Sequence, residues 1–86
     1  MEIPDIETRV KEVLTGRLGV PPDEIRLDAK LVDDLGMDSL DALELAIATE
    51  RQFKIEVSDE QMTRLRTVAD IVALVRRLAE EQWSPA

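Results

Sequence analysis

The sequence predicts an all-α fold: a small four-helix bundle of three main helices and one short helix, with a long loop after the first. Three observations predict it. Apolar residues recur at helical spacing in separated segments. No segment holds a sustained apolar–polar alternation of the kind that marks a strand. The chain has 86 residues, which allows one domain over 1–86 and one modest core, with roughly 64% of the extended-chain surface buried on folding. Residues 82–86 are expected to form a flexible tail, ordered only if Trp83 finds a surface.

The first helix is expected from about Pro4 to Leu18. Ile6, Val10, Val13 and Leu14 share a face, with Glu7, Arg9, Lys11 and Glu12 between them. Pro4 suits a first turn, Asp5 and Glu7 suit its positive end, and Gly19 supplies a stop. Pro21 and Pro22 then open a long connection, about Gly19 to Met37. Val20, Ile25, Leu27, Leu31, Val32, Leu35 and Met37 punctuate it, so it reads as a loop packed on the core, with a short turn near Asp23 to Ile25.

The second helix begins near Ser39. Asp38 is the expected N-cap, which puts Asp41 at the third helical position. Leu40, Leu43, Leu45, Ala46 and Ile47 make an arc too broad for a small bundle to bury entirely. Phe53 closes this helix, and Ile55 and Val57 belong to a packed turn. A short helix from about Asp59 to Arg64 follows, with Ser58 and Gln61 spaced as a capping box. Thr67 and Asp70 nearly match a second box, ahead of a last helix from about Val68 to Glu80, whose core face is Val68, Ile71, Val72, Val75 and Leu78.

Composition excludes several functions. There is no cysteine and no histidine, which removes disulfides, thiol nucleophiles, thiolate metal sites and the usual general base. The formal net charge is -8, which disfavours nucleic acid and anionic membranes and favours basic protein partners. The N-terminal residues lack the basic and apolar regions of a signal peptide, and no run of apolar residues is long enough to span a bilayer, so a cytoplasmic location is expected. The charge is also uneven. Residues 23–60 hold 12 acidic and 4 basic side chains, while the remainder is balanced. Acidic groups near a helix start are favourable in themselves. Around Leu40 and Ile47, however, Asp41, Glu44 and Glu50 also have the layout of an interface for a basic partner.

If Asp38 caps the second helix, the hydroxyl of Ser39 is spare. A phosphate ester there would meet the positive end of the helix. No histidine is present to make Ser39 a hydrolytic nucleophile, and no motif links Lys30 or Lys54 to it. A plain surface or capping serine is the simpler reading of this residue alone.

The run Leu31-Val32-Asp33-Asp34-Leu35-Gly36-Met37-Asp38-Ser39-Leu40-Asp41-Ala42-Leu43-Glu44-Leu45 resembles the attachment motif of acyl carrier proteins, the small helical carriers of fatty acid and polyketide synthesis. Its core is Asp38-Ser39-Leu40 preceded by Leu35-Gly36. The resemblance extends to Ile6–Val20, Phe53–Asp59 and Thr67–Ile71, most of the chain. It implies a 4'-phosphopantetheine arm joined to Ser39 beside Asp38, delivered from coenzyme A by a phosphopantetheinyl transferase. It implies acyl groups held as thioesters on that arm, so the working sulfur comes with the cofactor. The chain itself would catalyse nothing.

The resemblance further implies that Leu40, Asp41, Glu44, Ile47 and Glu50 meet basic patches on acyl-transferring and chain-elongating enzymes. It implies a free-standing, monomeric carrier of fatty acid, polyketide or related lipid synthesis without stable membrane association. Small residues such as Ala46, Ala48 and Ala69 would suit a core that opens for cargo. Arg51 departs from the family pattern, which usually has an acidic residue there, and Thr49 stands where a larger apolar residue is common. The rival expectations are a peptidyl or aminoacyl carrier and an acidic interaction module without a cofactor. A carboxylate metal site from Asp33, Asp34 and Asp38, or from Glu56, Asp59 and Glu60, matches no calcium-loop spacing.

Overall fold

The computed structural model describes residues 6–83. It is helical: α1 spans Ile6–Leu18, α2 Ser39–Phe53, α3 Asp59–Thr63 and α4 Val68–Gln82, with a 3-10 turn at Pro22–Glu24. The three long helices and the short α3 follow the predicted plan. Pro4 and Asp5, expected in the first turn of α1, lie outside the described residues, as do Ser84, Pro85 and Ala86. No described helix is long and apolar enough to cross a membrane.

The core lies where α1, α2 and α4 meet. Val10, Val13 and Leu14 of α1, Leu45, Ala48 and Phe53 of α2, and Val68, Ile71, Val75 and Leu78 of α4 are buried in one cluster. α4 carries the cleanest apolar stripe because its core residues recur three and four apart. Thr49 is buried among them as the one buried polar side chain of the described residues. Ala48 is buried and Ala46 half-buried, but Ala69 is exposed, so it does not contribute the small core side chain expected of it. Its N–H instead donates to the Leu27 carbonyl at 2.8 Å.

The long loop packs on this core, although Leu27 and Val32, expected to pack with it, are 41% and 67% exposed. Val20, Ile25, Ala29, Leu31 and Met37 are buried. Backbone hydrogen bonds stitch it to the start of α4: Leu31 N–H to Arg66 C=O at 2.8 Å and Val68 N–H to Ala29 C=O at 3.1 Å. Lys30 and Thr67 thereby form an isolated antiparallel bridge. Residues 30–35 wind as a single turn, in which the Asp34 carboxylate accepts from the Lys30 N–H at 2.8 Å. Gly36 closes it at φ 68°, the left-handed conformation that a residue without Cβ adopts most readily. That reversal drops Met37 into the core and delivers Asp38 to the start of α2.

α4 runs past its expected end at Glu80. α4 continues through Gln82, and Trp83 packs against the core. The Trp83 indole N–H donates to the Phe53 carbonyl at 2.8 Å. The Gln82 amide accepts from Glu56 N–H at 2.8 Å and donates to Glu56 C=O at 3.1 Å. Gln82 and Trp83 thus clasp the α2–α3 connection. The side chains that bond there sit 26 and 30 residues away from their partners, which hides them from any local pattern.

Candidate functional site

The start of α2 is fixed by a reciprocal cap. Asp38 Oδ1 accepts from Asp41 N–H at 2.9 Å, and Asp41 Oδ2 accepts from Asp38 N–H at 3.2 Å. This is a capping box with a carboxylate in both roles. Both acids also complement the positive end of the helix dipole.

Ser39 is thus the first residue of α2, and it is exposed. Among the described residues no hydrogen bond engages its hydroxyl, because Asp38 has taken the capping role. The cap uses the Asp41 amide, and Ala42 N–H donates to Asp38 C=O. The Ser39 and Leu40 amides are the first-turn donors left without an acceptor among the described residues. An exposed hydroxyl beside two free amides at a helix N-terminus fits a phosphate ester: the hydroxyl accepts the bond, and the amides and dipole face the negative charge. Among the described residues no hydrogen bond joins that hydroxyl to a base.

Beyond Ser39, α2 turns apolar side chains outward. Leu40 is 71% exposed, Leu43 56% and Ile47 43%. Glu44 and Arg51 are exposed on the same side, while Asp41 is half-buried. Large apolar groups left in water on one helix face, between charged side chains, have the composition of a docking surface. Val32, on the turn before Gly36, is 67% exposed as well. The arc of α2 was too wide to bury, and the structure settles which residues were left out.

The sequence-predicted residues do not all act together. Ser39, Asp38 and Asp41 form one structural unit, and Leu40, Glu44 and Ile47 line one exposed side of the helix. Glu50 is set apart. It is half-buried, and its Oε2 accepts from Val57 N–H at 2.9 Å, so this carboxylate holds the α2–α3 connection. Leu43 was missed as a surface residue, although its position three after Leu40 and four before Ile47 puts it on the same side. Among the described residues no group of three acids comes together to hold a metal ion.

Comparison with known proteins gives concordant results. A family model described as the phosphopantetheine attachment site matches residues 8–75. An acyl carrier protein from Akkermansia muciniphila is 45% identical over 73 residues, covering 85% of this chain and 91% of that protein. One from Bdellovibrio bacteriovorus is 40% identical over 72 residues, covering 84% of this chain and 92% of that protein. One from a Sulfurovum species is 45% identical over 69 residues, covering 80% of this chain and 92% of that protein.

Proposed function

The chain belongs to the acyl carrier protein family, and from that premise we propose that Ser39 is its phosphopantetheine attachment residue. Carriers of this family are not catalysts, and the phosphopantetheine attachment domain defines the cofactor. When bound, the arm supplies the thiol that this cysteine-free chain lacks and holds an acyl group as a thioester. The chain's own residues then have three tasks. Asp38 and Asp41 lock the first turn of α2 and leave the Ser39 hydroxyl facing solvent. The Ser39 and Leu40 amides face the phosphodiester. Leu40, Leu43, Glu44 and Ile47 offer apolar and acidic contacts to the enzymes that load and unload the arm.

We read the protein as a free-standing monomeric carrier, a single domain that serves cytoplasmic enzymes of fatty acid, polyketide or related lipid synthesis. The observation that carries the proposal is the exposed, unbonded hydroxyl of Ser39 at the first position of a helix capped by its neighbour. Intact mass before and after incubation with coenzyme A and a broad-specificity phosphopantetheinyl transferase tests it. Wild type is expected to gain one arm, and Ser39→Ala none. A wild-type chain that stays unmodified, or a Ser39→Ala chain that gains the same mass, overturns the assignment.

A further inference from the structure

We propose that the outward face of α2 is a docking stripe of two signs, and that its far end, Arg51, pairs with a carboxylate on the enzyme surface. The inference rests on the carrier reading above and adds the orientation and chemistry of the partner. Residues 40, 44, 47 and 51 are four, three and four apart, so they follow one line along the helix. All four are exposed. The line runs from the acidic end at Asp38, Asp41 and Glu44, through Leu40, Leu43 and Ile47, to a guanidinium about 10 Å beyond Glu44 at helical rise.

Arg51 has no work inside the fold. Lys11, Arg26, Arg64 and Arg77 each have an acidic partner within 4.0 Å. Arg51, like Arg9, Arg17, Lys30, Lys54, Arg66 and Arg76, has no ion pair among the described residues, and no hydrogen bond engages its side chain there, so its place in the line rather than its lack of a partner sets it apart. The helix offers it none, since its neighbours three and four residues before it are Ala48 and Ile47, and the next ones after it are Lys54 and Ile55. Glu50, the adjacent acid, is committed to Val57. A cation anywhere on the last turn complements the helix dipole. The dipole accounts for the sign of Arg51 but not for its lying in line with exposed Leu40 and Ile47.

Charge complementarity then defines the occupant: an enzyme surface with an apolar centre, basic groups toward the Ser39 end, and an acidic group toward the other. Such a surface accepts the helix in one direction only. Reversing the helix would oppose Arg51 to the basic groups and Glu44 to the acid, and like charges across an interface are strongly disfavoured. A partner that is basic along its whole length would be repelled at Arg51.

The test uses the arm-loaded protein and a purified acyl-transferring enzyme from the same genome, chosen because it accepts the loaded wild type as substrate. KM and kcat are measured for wild type, Arg51→Gln and Arg51→Glu at low and high salt, with helical content checked by circular dichroism. Arg51→Glu is expected to raise KM about three- to tenfold at low salt, with a smaller rise for Arg51→Gln and convergence at high salt. Replacing the facing carboxylate of the enzyme with lysine is expected to restore Arg51→Glu. An unchanged or lowered KM in Arg51→Glu, with the arm loading normally, overturns the proposal and leaves the carrier reading intact. Failure to load the arm would instead sink the carrier reading.

Discussion

At the start of α2 two neighbouring residues divide the labour. Asp38 takes the capping role and the Ser39 hydroxyl is left unbonded among the described residues, although serine and aspartate are equally good N-caps. Substitution should separate the two roles. Asp38→Ala removes the acceptor for Asp41 N–H and is expected to cost about 1 kcal/mol. Ser39→Ala removes a hydroxyl that bonds to nothing among the described residues and is expected to change stability by less than about 0.5 kcal/mol. Urea denaturation of the three proteins reads both. A loss for Ser39→Ala as large as that for Asp38→Ala would mean that the serine hydroxyl supports the helix.

At the scale of elements, three left-handed residues decide where segments stop. Gly19, Gly36 and Lys54 have φ 69°, 68° and 54°. Each donates its N–H to the carbonyl four residues earlier, on Thr15, Val32 and Glu50. The glycines announce such stops in the sequence, and a lysine does not. The end of α2 is accordingly reinforced from elsewhere, by Glu50 on Val57, Gln82 on Glu56 and Trp83 on Phe53. The indole satisfies one of the carbonyls that every helix end leaves over. Trp83→Phe, which keeps an aromatic ring and removes the donor, is expected to cost about 1 kcal/mol in thermal denaturation. No loss would place the value of Trp83 in its packing alone. The legibility of the sequence follows the same line. Helices, caps and the exposed position of the candidate residue Ser39 at the start of α2 were readable because each is encoded within three or four residues, as in Asp38–Asp41, Ser58–Gln61 and Thr67–Asp70. The Trp83 clasp and the turning inward of Glu50 depend on what tertiary packing brings alongside, and period alone could not divide the arc of α2 into core and surface.

For the molecule as a whole, the acidic excess of residues 23–60 is confined to a body of 40 × 26 × 19 Å. Attraction does little to offset it. The four ion pairs among the described residues have side chains between 37% and 78% exposed, and such pairs contribute about 0–1 kcal/mol each. At ~0.01 M salt the screening length is about 30 Å, comparable with the molecule, whereas at ~0.15 M it is about 8 Å. Added salt therefore weakens repulsion across the whole acidic region while costing only a few weak surface pairs. Because the folded chain holds those charges closer together than the unfolded one, relief of repulsion favours folding. A rise from ~0.01 to ~0.15 M sodium chloride is expected to stabilise the protein by about 1 kcal/mol, read as roughly 4–8 °C in Tm. Scanning calorimetry at the two concentrations measures it, and a flat or falling Tm would mean that the surface pairs outweigh the crowding of like charge. The same salt should slow encounter with any basic partner, so the conditions that best hold this carrier together are those in which the proposed acidic docking face would attract least.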